Sequence, residues 1–208
     1  MPADDGYVAL REAIVGGSLQ PNERLVEARL SSTFGMGRTA VRTALARLEQ
    51  DGLVERERNR GARVRFVGER EAVEILEARA VLEGLAARHA ASNADAADVR
   101  RLRGILEDMR RWLEAGDPLA ASDENGVLHR TLIEIANHPT VMRQIAMLKS
   151  QLVRFQYRTI LLPGRSERSF GEHAAIVQAI ASGDSEAAER AMRTHLSHVA
   201  ESLRGEAG

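Results

Sequence analysis

The sequence predicts a mainly α-helical protein, with an N-terminal winged helix-turn-helix and a C-terminal all-α bundle of about six helices. Its 208 residues are 44% hydrophobic but only 3% aromatic, so alanine and leucine supply most of the apolar surface, which suits packed helices better than a β-sandwich. Strand-like stretches occur only before residue 68, and helical periodicity follows. We therefore expect two domains, over residues 1–67 and 68–208. The absence of cysteine excludes disulfides and thiolate metal ligands.

The first domain is predicted to contain three helices followed by a hairpin. Pro21 and Asn22 favour a type II turn between the first two helices, because asparagine tolerates the positive φ that this turn needs. Glycines at positions 16, 35 and 52 follow the three helical patterns. The helices are expected over residues 8–15, 27–34 and 38–50, and the strands over residues 53–57 and 62–67. This order of elements is that of a winged helix-turn-helix.

The second domain has no strand signal and is predicted to be a helical bundle. Apolar residues recur at helical spacing, as in Val99, Leu102, Leu106, Met109 and Leu113. The breaks between the helical patterns contain glycine, proline, asparagine and aspartate, which are typical of caps and turns. The six helices are expected over residues 69–92, 95–115, 119–136, 139–161, 168–182 and 184–204.

Arginine is concentrated in the third helix and the hairpin, since residues 37–67 contain eight arginines and four acidic residues. Recognition helices place first-turn side chains against base edges in the major groove, where arginine bonds guanine and threonine reaches a phosphate, a base edge or a thymine methyl. The residues expected to contact DNA are Arg38, Thr39 and Arg42 at the helix start, Arg47 against the backbone, and Arg60 and Gly61 at the hairpin tip. The alternative is a solvated arginine face on an ordinary helical domain.

Several motifs of this region carry a family resemblance. They are Leu19-x-Pro-x-x-x-Leu25, Arg38-Thr-x-Val-Arg42, Arg47-Leu48-Glu49, Gly52-Leu53-Val54 and Arg60-Gly61-Ala62-x-Val64. Residues 8–67 thereby resemble the DNA-binding domain of GntR-family transcription regulators, which implies binding to operator DNA. The chain departs from the family pattern at Gly37, Ala40 and Thr43. Ala28, with Arg29 beside it, stands where the family often has an arginine that contacts DNA.

Three of the six histidines lie on apolar helix faces, which is not where a solvated imidazole is expected. The three faces carry Asn125 with His129, then His173, and then His195. If these faces converge, they supply three nitrogens and one oxygen, a ligand set suited to Zn²⁺, Ni²⁺, Mn²⁺ or Fe²⁺. The alternative is that each histidine is a hydrogen-bonded core residue. We expect His198 to lie off these faces, near the surface.

The second domain also carries motifs that recur in a known family. They are Glu77-x-Arg79-x-x-Leu82-Glu83, Asn125-x-x-x-His129, Glu172-His173-x-x-Ile176 and the run from Ala179 to Leu196 that contains His195. Residues 70–204 resemble the all-helical effector domain of the FadR subfamily, often called FCD. The resemblance implies Asn125, His129, His173 and His195 as metal ligands, because metal-binding members have aspartate or asparagine at the first of these positions and histidine at the other three.

Arg79 shares a predicted inward-facing stripe with Ile75 and Leu82, so its guanidinium needs an anionic partner. One candidate is an internal carboxylate, that of Glu83 or Glu134. The other is the carboxylate of an effector bound beside the metal. The FCD resemblance implies that such an effector is a small organic acid or sugar acid.

These observations predict a ligand-responsive transcriptional repressor that binds a two-fold symmetric operator as a homodimer. We expect a cytoplasmic protein, because the N-terminus lacks a signal-peptide h-region and no stretch is long and apolar enough to cross a membrane. A metal-dependent hydrolase with an accessory DNA-binding domain is the main alternative, but it needs a general base. Glu172 is expected to point about 100° away from His173 around its helix. An architectural DNA binder fits a mildly acidic second domain poorly.

Overall fold

The computed structural model describes residues 3–57, 61–152 and 162–204. The chain divides into two compact units, Met1–Gly68 and Glu69–Gly208. The first combines helices with a small sheet, and the second is helical throughout its described residues. The predicted fold class, a winged helix-turn-helix followed by an all-α bundle, is confirmed.

The first unit contains three helices and a three-stranded antiparallel sheet. The elements are α1 (Ala3–Val15), β1 (Arg24–Leu25), α2 (Glu27–Phe34), α3 (Arg38–Gln50), β2 (Val54–Glu57) and β3 (Gly61–Val64). The strand order is β1-β3-β2, and Glu55 pairs with Arg63 in the hairpin. Helix α3 packs against α1 and α2 through a stripe that is buried at Val41, Ala44, Leu45 and Leu48, as the periodicity predicts.

Two turns of the first unit behave as the sequence predicts. Asn22 has a φ of 63°, so the positive φ expected of it is confirmed. Gly35 ends α2 in the left-handed conformation with a φ of 63°. Three details of the prediction are wrong. Helix α1 begins at Ala3 rather than at residue 8, and β3 covers Gly61–Val64 rather than residues 62–67. Strand β1 was not expected, because two residues are too few to show an alternating pattern.

The second unit contains six described helices. They are α4 (Glu69–Asn93), α5 (Ala96–Glu114), α6 (Pro118–Ala136), α7 (Pro139–Gln151), α8 (Arg165–Ala181) and α9 (Ser185–Arg204). Asp95 caps α5 with a capping box, and Asp117 caps α6. The helix predicted over residues 139–161 is described only as far as Gln151, because residues 153–161 lie outside the described part of the chain. Within the described residues, no helix combines the length and hydropathy needed to span a bilayer.

Helix α4 packs along α9 more extensively than any other pair of described helices, and Gly84 lies at this contact. A Cβ added at Gly84 would lie 2.8 Å from Cγ of Arg193 and 3.4 Å from Cγ of Glu189. Glycine therefore permits the close approach of the two helices, although it is a poor helix former.

We expect Gly84→Ala and Gly104→Ala to change stability differently. Gly104 is also helical, but its added Cβ would meet no atom of the described residues within 4 Å. Gly104→Ala should therefore raise the free energy of unfolding by about 0.5–1 kcal/mol through helix propensity. Gly84→Ala should give no gain or a loss, because Arg193 has to move. Urea unfolding followed by circular dichroism measures both, and equal gains would contradict the prediction.

Candidate metal centre and nucleic-acid interface

Three histidines from three helices meet inside the second unit. His129 lies on α6, His173 on α8 and His195 on α9, and their exposed fractions are 4%, 0% and 3%. Their potential ligand atoms lie within 4.8 Å of one another. Nε2 of His173 is 3.4 Å from Nε2 of His129 and 3.3 Å from Nε2 of His195. The structure thus brings together the three imidazoles that the sequence places on separate apolar faces.

Glu83 of α4 holds the imidazole of His129. Oε2 of Glu83 lies 2.7 Å from Nδ1 of His129, and Oε1 accepts a 2.8 Å hydrogen bond from Nε of Arg79 and lies 2.7 Å from Nη2 of the same guanidinium. An ionised carboxylate can only accept, so Nδ1 of His129 carries the proton. In the neutral imidazole, Nε2 then presents its lone pair toward the other two histidines.

Glu172 of α8 holds the imidazole of His195 in the same way. Its Oε2 lies 2.7 Å from Nδ1 of His195 and accepts a bond of 3.2 Å from Nη2 of Arg165, and its Oε1 lies 2.8 Å from Nδ1 of His198. The expectation that Glu172 points about 100° away from His173 concerns its own helix, and the side chain nevertheless reaches His195 on α9. His198 is partly buried rather than a simple surface residue.

Burial and neighbouring charges set the protonation of this cluster. Burial lowers the pKa of His129 to about 4, and it also lowers the pKa of His173 and His195. Burial alone would raise the pKa of Glu83, but Arg79 and His129 hold that pKa well below its ordinary value. Hydrogen bonds from His195 and His198 outweigh burial and lower the pKa of Glu172 to about 2. At neutral pH the cluster therefore consists of neutral imidazoles and ionised carboxylates.

Oδ1 of Asn125 and Nδ1 of His173 are buried and have no hydrogen-bond partner within the described residues, and the same holds for Oγ1 of Thr131. Asn125 lies one turn before His129 on the same side of α6. A buried amide oxygen without a donor is unusual in a folded protein. It fits an oxygen ligand that completes a set with the three imidazoles, which is the chemistry expected of a site for a borderline divalent cation.

Arg79 lies against Glu83, one of its two internal candidates, and its side chain is only 11% exposed. The other internal candidate, Glu134, pairs instead with Arg101. Arg79 thereby supports the carboxylate that orients His129. A direct bond from Arg79 to an effector remains a prediction.

Of the predicted DNA-contact residues that the structure describes, Arg38, Thr39 and Arg42 lie in the first turns of α3, Arg47 lies in its last turn and Gly61 begins β3. Arg38, Thr39 and Arg42 are exposed, and Nε of Arg42 donates a 2.8 Å hydrogen bond to Oε2 of Glu27. The guanidinium of Arg47 lies 4.0 Å from the centre of the Tyr7 ring. Gly61 is exposed with a φ of 87°. Arg60 lies outside the described residues.

Sequence reasoning missed the carboxylates and cations that surround the histidines. Glu83 was considered only as a partner of Arg79, and Arg165 was not considered, although it is buried and bonded to Glu172. The signal for Glu83 was available, because it shares a stripe of α4 with small buried residues, Ala80 three residues before it and Ala87 four residues after it. A buried glutamate on such a stripe requires a partner of opposite charge.

Both units match known protein families. The model of bacterial regulatory proteins of the gntR family matches residues 3–64, and the FCD domain model matches residues 74–198. The chain is 30% identical over 187 residues to a probable D-xylose utilization operon transcriptional repressor of Paenarthrobacter nicotinovorans, which covers 88% of this chain and 80% of the relative. It is 29% identical over 200 residues to the HTH-type transcriptional repressor RspR of Escherichia coli K12, covering 95% of this chain and 87% of that protein.

A solved structure shares the fold along almost the whole length. The E. coli protein McbR/YncC superposes with a TM-score of 0.78 at 22% sequence identity, covering 99% of this chain and 98% of that one. The matching families and relatives are DNA-binding transcription regulators, so the prediction of a regulator rather than a hydrolase is confirmed. The chain belongs to the GntR family of bacterial transcriptional regulators, with an FCD domain after its winged helix-turn-helix.

Proposed function

We propose that this GntR-family regulator is a homodimeric, metal-dependent sensor of a small carboxylate that represses transcription by binding a two-fold symmetric operator. The observation that carries the proposal is the arrangement of the three buried imidazoles. Two of them have Nδ1 committed to a carboxylate, so their Nε2 lone pairs face the Nε2 of the third. Two lone pairs turned toward a third imidazole nitrogen at 3.3–3.4 Å favour a shared cation between the three rings.

The proposed metal centre consists of His129, His173 and His195, with Asn125 as a fourth ligand. The donor set fits Zn²⁺, Ni²⁺, Mn²⁺ or Fe²⁺, because imidazole nitrogen suits all four ions and the amide oxygen suits the harder ones. A bound ion would supply a Lewis-acidic position for an effector carboxylate. Glu83 and Glu172 fix the tautomers and directions of two ligand imidazoles, and Arg79 and Arg165 hold these carboxylates in turn.

The DNA-reading function is assigned to the exposed start of α3. Arg38 and Thr39 lie on the side opposite the buried stripe, so both can enter the major groove while the helix stays packed. Arg42, Arg47, Arg60 and Gly61 are proposed to add contacts to the bases or to the phosphates. A dimer would present two such helices to the two halves of a symmetric operator.

Effector binding would change operator affinity through a coupling free energy between two sites, typically about 1–3 kcal/mol. An operator duplex is first selected from a random library with the wild-type protein. Fluorescence anisotropy then measures the affinity of the metal-loaded protein for this duplex, without and with added lactate, succinate, citrate or gluconate. A change in operator affinity of about fivefold or more with at least one acid would support sensing. Unchanged affinity with every acid would contradict it.

We expect His173→Ala to abolish metal retention. His173 sits between the other two imidazoles, so its loss leaves at most two histidine ligands. Elemental analysis of purified protein should show about one metal ion per chain in the wild type and less than about a tenth of that in the variant. His89→Ala is the matched control, because His89 contacts only the ring of His138 among the described interactions. Equal metal content in all three proteins would refute the proposed centre.

We expect Arg38→Ala to weaken operator binding by about tenfold, because loss of a good arginine contact to a base amounts to about 1–3 kcal/mol. The measurement is anisotropy on the selected duplex and on a scrambled duplex of equal length, at one salt concentration. Arg110→Ala on α5 is the control, since Arg110 is an exposed arginine outside the first unit. Loss of affinity that is equal for the two duplexes would show that Arg38 contacts phosphate rather than a base.

A further inference from the structure

A stripe of side chains runs along the side of α4 that faces away from Glu83 and the histidine cluster. Its members recur at alternating spacings of four and three residues, which is the spacing of side chains that meet in a seam between two helices. Leu85 is half-buried and the others are exposed. Val81, near the middle, is 52% exposed, more than any other large apolar residue of the second unit that the structure describes. The members of this α4 stripe are Glu74, Ala78, Val81, Leu85, Arg88 and Ser92.

Two neighbouring helices flank the α4 stripe without covering its centre. On one side, Nη1 of Arg88 donates a 3.2 Å hydrogen bond to Oε2 of Glu189 on α9. On the other side, the ring centres of His89 and His138 lie 5.2 Å apart, and His138 caps the start of α7. An apolar strip that is left in water between packed helices, with charged residues at its ends, is typical of a protein–protein contact.

The charges of the α4 stripe are arranged symmetrically about Val81. Glu74 precedes Val81 by seven residues, and Arg88 follows it by seven. In an antiparallel pair of α4 helices that is centred on Val81, each Glu74 lies opposite Arg88 of the other copy. Leu85 then lies opposite Ala78, so that a large side chain meets a small one. A parallel pair would place Glu74 opposite Glu74 and Arg88 opposite Arg88, which is unfavourable. The stripe is therefore complementary to itself in the antiparallel direction.

We propose that two copies of this chain pair through the α4 stripe, with the two helices antiparallel and Val81 beside the two-fold axis. This inference rests on the proposed homodimer and specifies where its helical domains meet. Such a contact is isologous, so it closes the dimer and leaves neither stripe exposed. The seven-residue repeat favours helices that cross at about 20°. Because Glu83 holds His129 from the opposite side of α4, one helix would then join the histidine cluster to the subunit contact.

The absence of cysteine permits a direct test of the pairing, because a single introduced cysteine can form a protein disulfide only with its own copy. In full-length Val81→Cys, diamide should cross-link more than about half of the protein at micromolar concentration, since residues beside a two-fold axis lie within disulfide reach. Leu119→Cys is the matched control, because Leu119 is 49% exposed at the start of α6 and lies outside the stripe. The control should give less than about a tenth of cross-linked dimer on a non-reducing gel.

Charge reversal tests the direction of the pairing. Glu74→Arg should weaken the dimer about tenfold, because it creates a repulsive pair with Arg88 at two symmetric places. Arg88→Glu should do the same, and the double variant should return to within about threefold of the wild-type dissociation constant. Sedimentation velocity over a dilution series measures these constants, and circular dichroism checks that each variant keeps its helical content. Arg70 and Glu189 are the partners of these residues within one chain, so the double variant restores only contacts between chains.

Wild-type protein that sediments as a monomer at about 100 μM overturns the proposed homodimer and this inference together. If the wild type is a dimer, the inference alone is overturned when Val81→Cys forms no disulfide or when Leu119→Cys cross-links equally well. Single charge reversals that leave the dissociation constant unchanged, or a double variant as weak as the single ones, overturn the antiparallel pairing in the same way.

Discussion

The site in the FCD domain depends on two ionised carboxylates that are buried beside imidazoles. Glu83 and Glu172 each bond an arginine on one side and Nδ1 of a histidine on the other. Burial favours the neutral form of both carboxylates; Arg79 opposes it most strongly at Glu83, and the hydrogen bonds from His195 and His198 oppose it at Glu172. Without the carboxylates, in turn, nothing fixes the proton of His129 or His195 on Nδ1. The direction of the Nε2 lone pairs of His129 and His195 is thus set by Glu83 and Glu172, which are not themselves proposed metal ligands.

This dependence connects most of the helices of the second unit. Glu83 comes from α4, His129 from α6, Glu172 and His173 from α8, and His195 from α9. A bound ion and its ligand would act on all four helices at once, since each of them contributes a hydrogen-bonded group to the same few ångströms. Packed helices respond to such a change by shifting between discrete arrangements rather than by deforming gradually. The geometry therefore offers a physical basis for the proposed coupling between effector and operator affinity.

Periodicity was sufficient to place the three histidines on buried faces, because the spacing of residues fixes where each Cβ lies on its helix. It was insufficient for Glu172, whose Cβ lies off the face of His173 but whose side chain extends to His195 on the next helix. The same limit applies to Arg47, whose guanidinium lies over the ring of Tyr7, while its contact with the DNA backbone stays a prediction. The contacts of a long side chain depend on which residues lie nearby in the folded protein, and a single sequence does not give that information. Strand β1 was missed for another reason, since its pairing with β3 depends on the folded hairpin.

The arginines of α3 differ in the existing side-chain contacts that a DNA contact would have to replace. Arg42 bonds Glu27 and Arg47 stacks on Tyr7, so a phosphate or base would replace an existing partner of each. Exchange of an exposed ion pair for another yields a small net gain, because such pairs contribute about 0–1 kcal/mol. Ala28 provides no cation where the family often has one, and Arg29 beside it pairs with Glu23. A single winged helix-turn-helix domain therefore has few strong DNA contacts available. In the proposed dimer, binding of one domain to its half of a symmetric operator would raise the effective concentration of the second domain at the other half. In the proposed dimer, modest affinity per DNA-binding domain would also make operator binding sensitive to the spacing of the two domains, which is the quantity that the proposed effector would change.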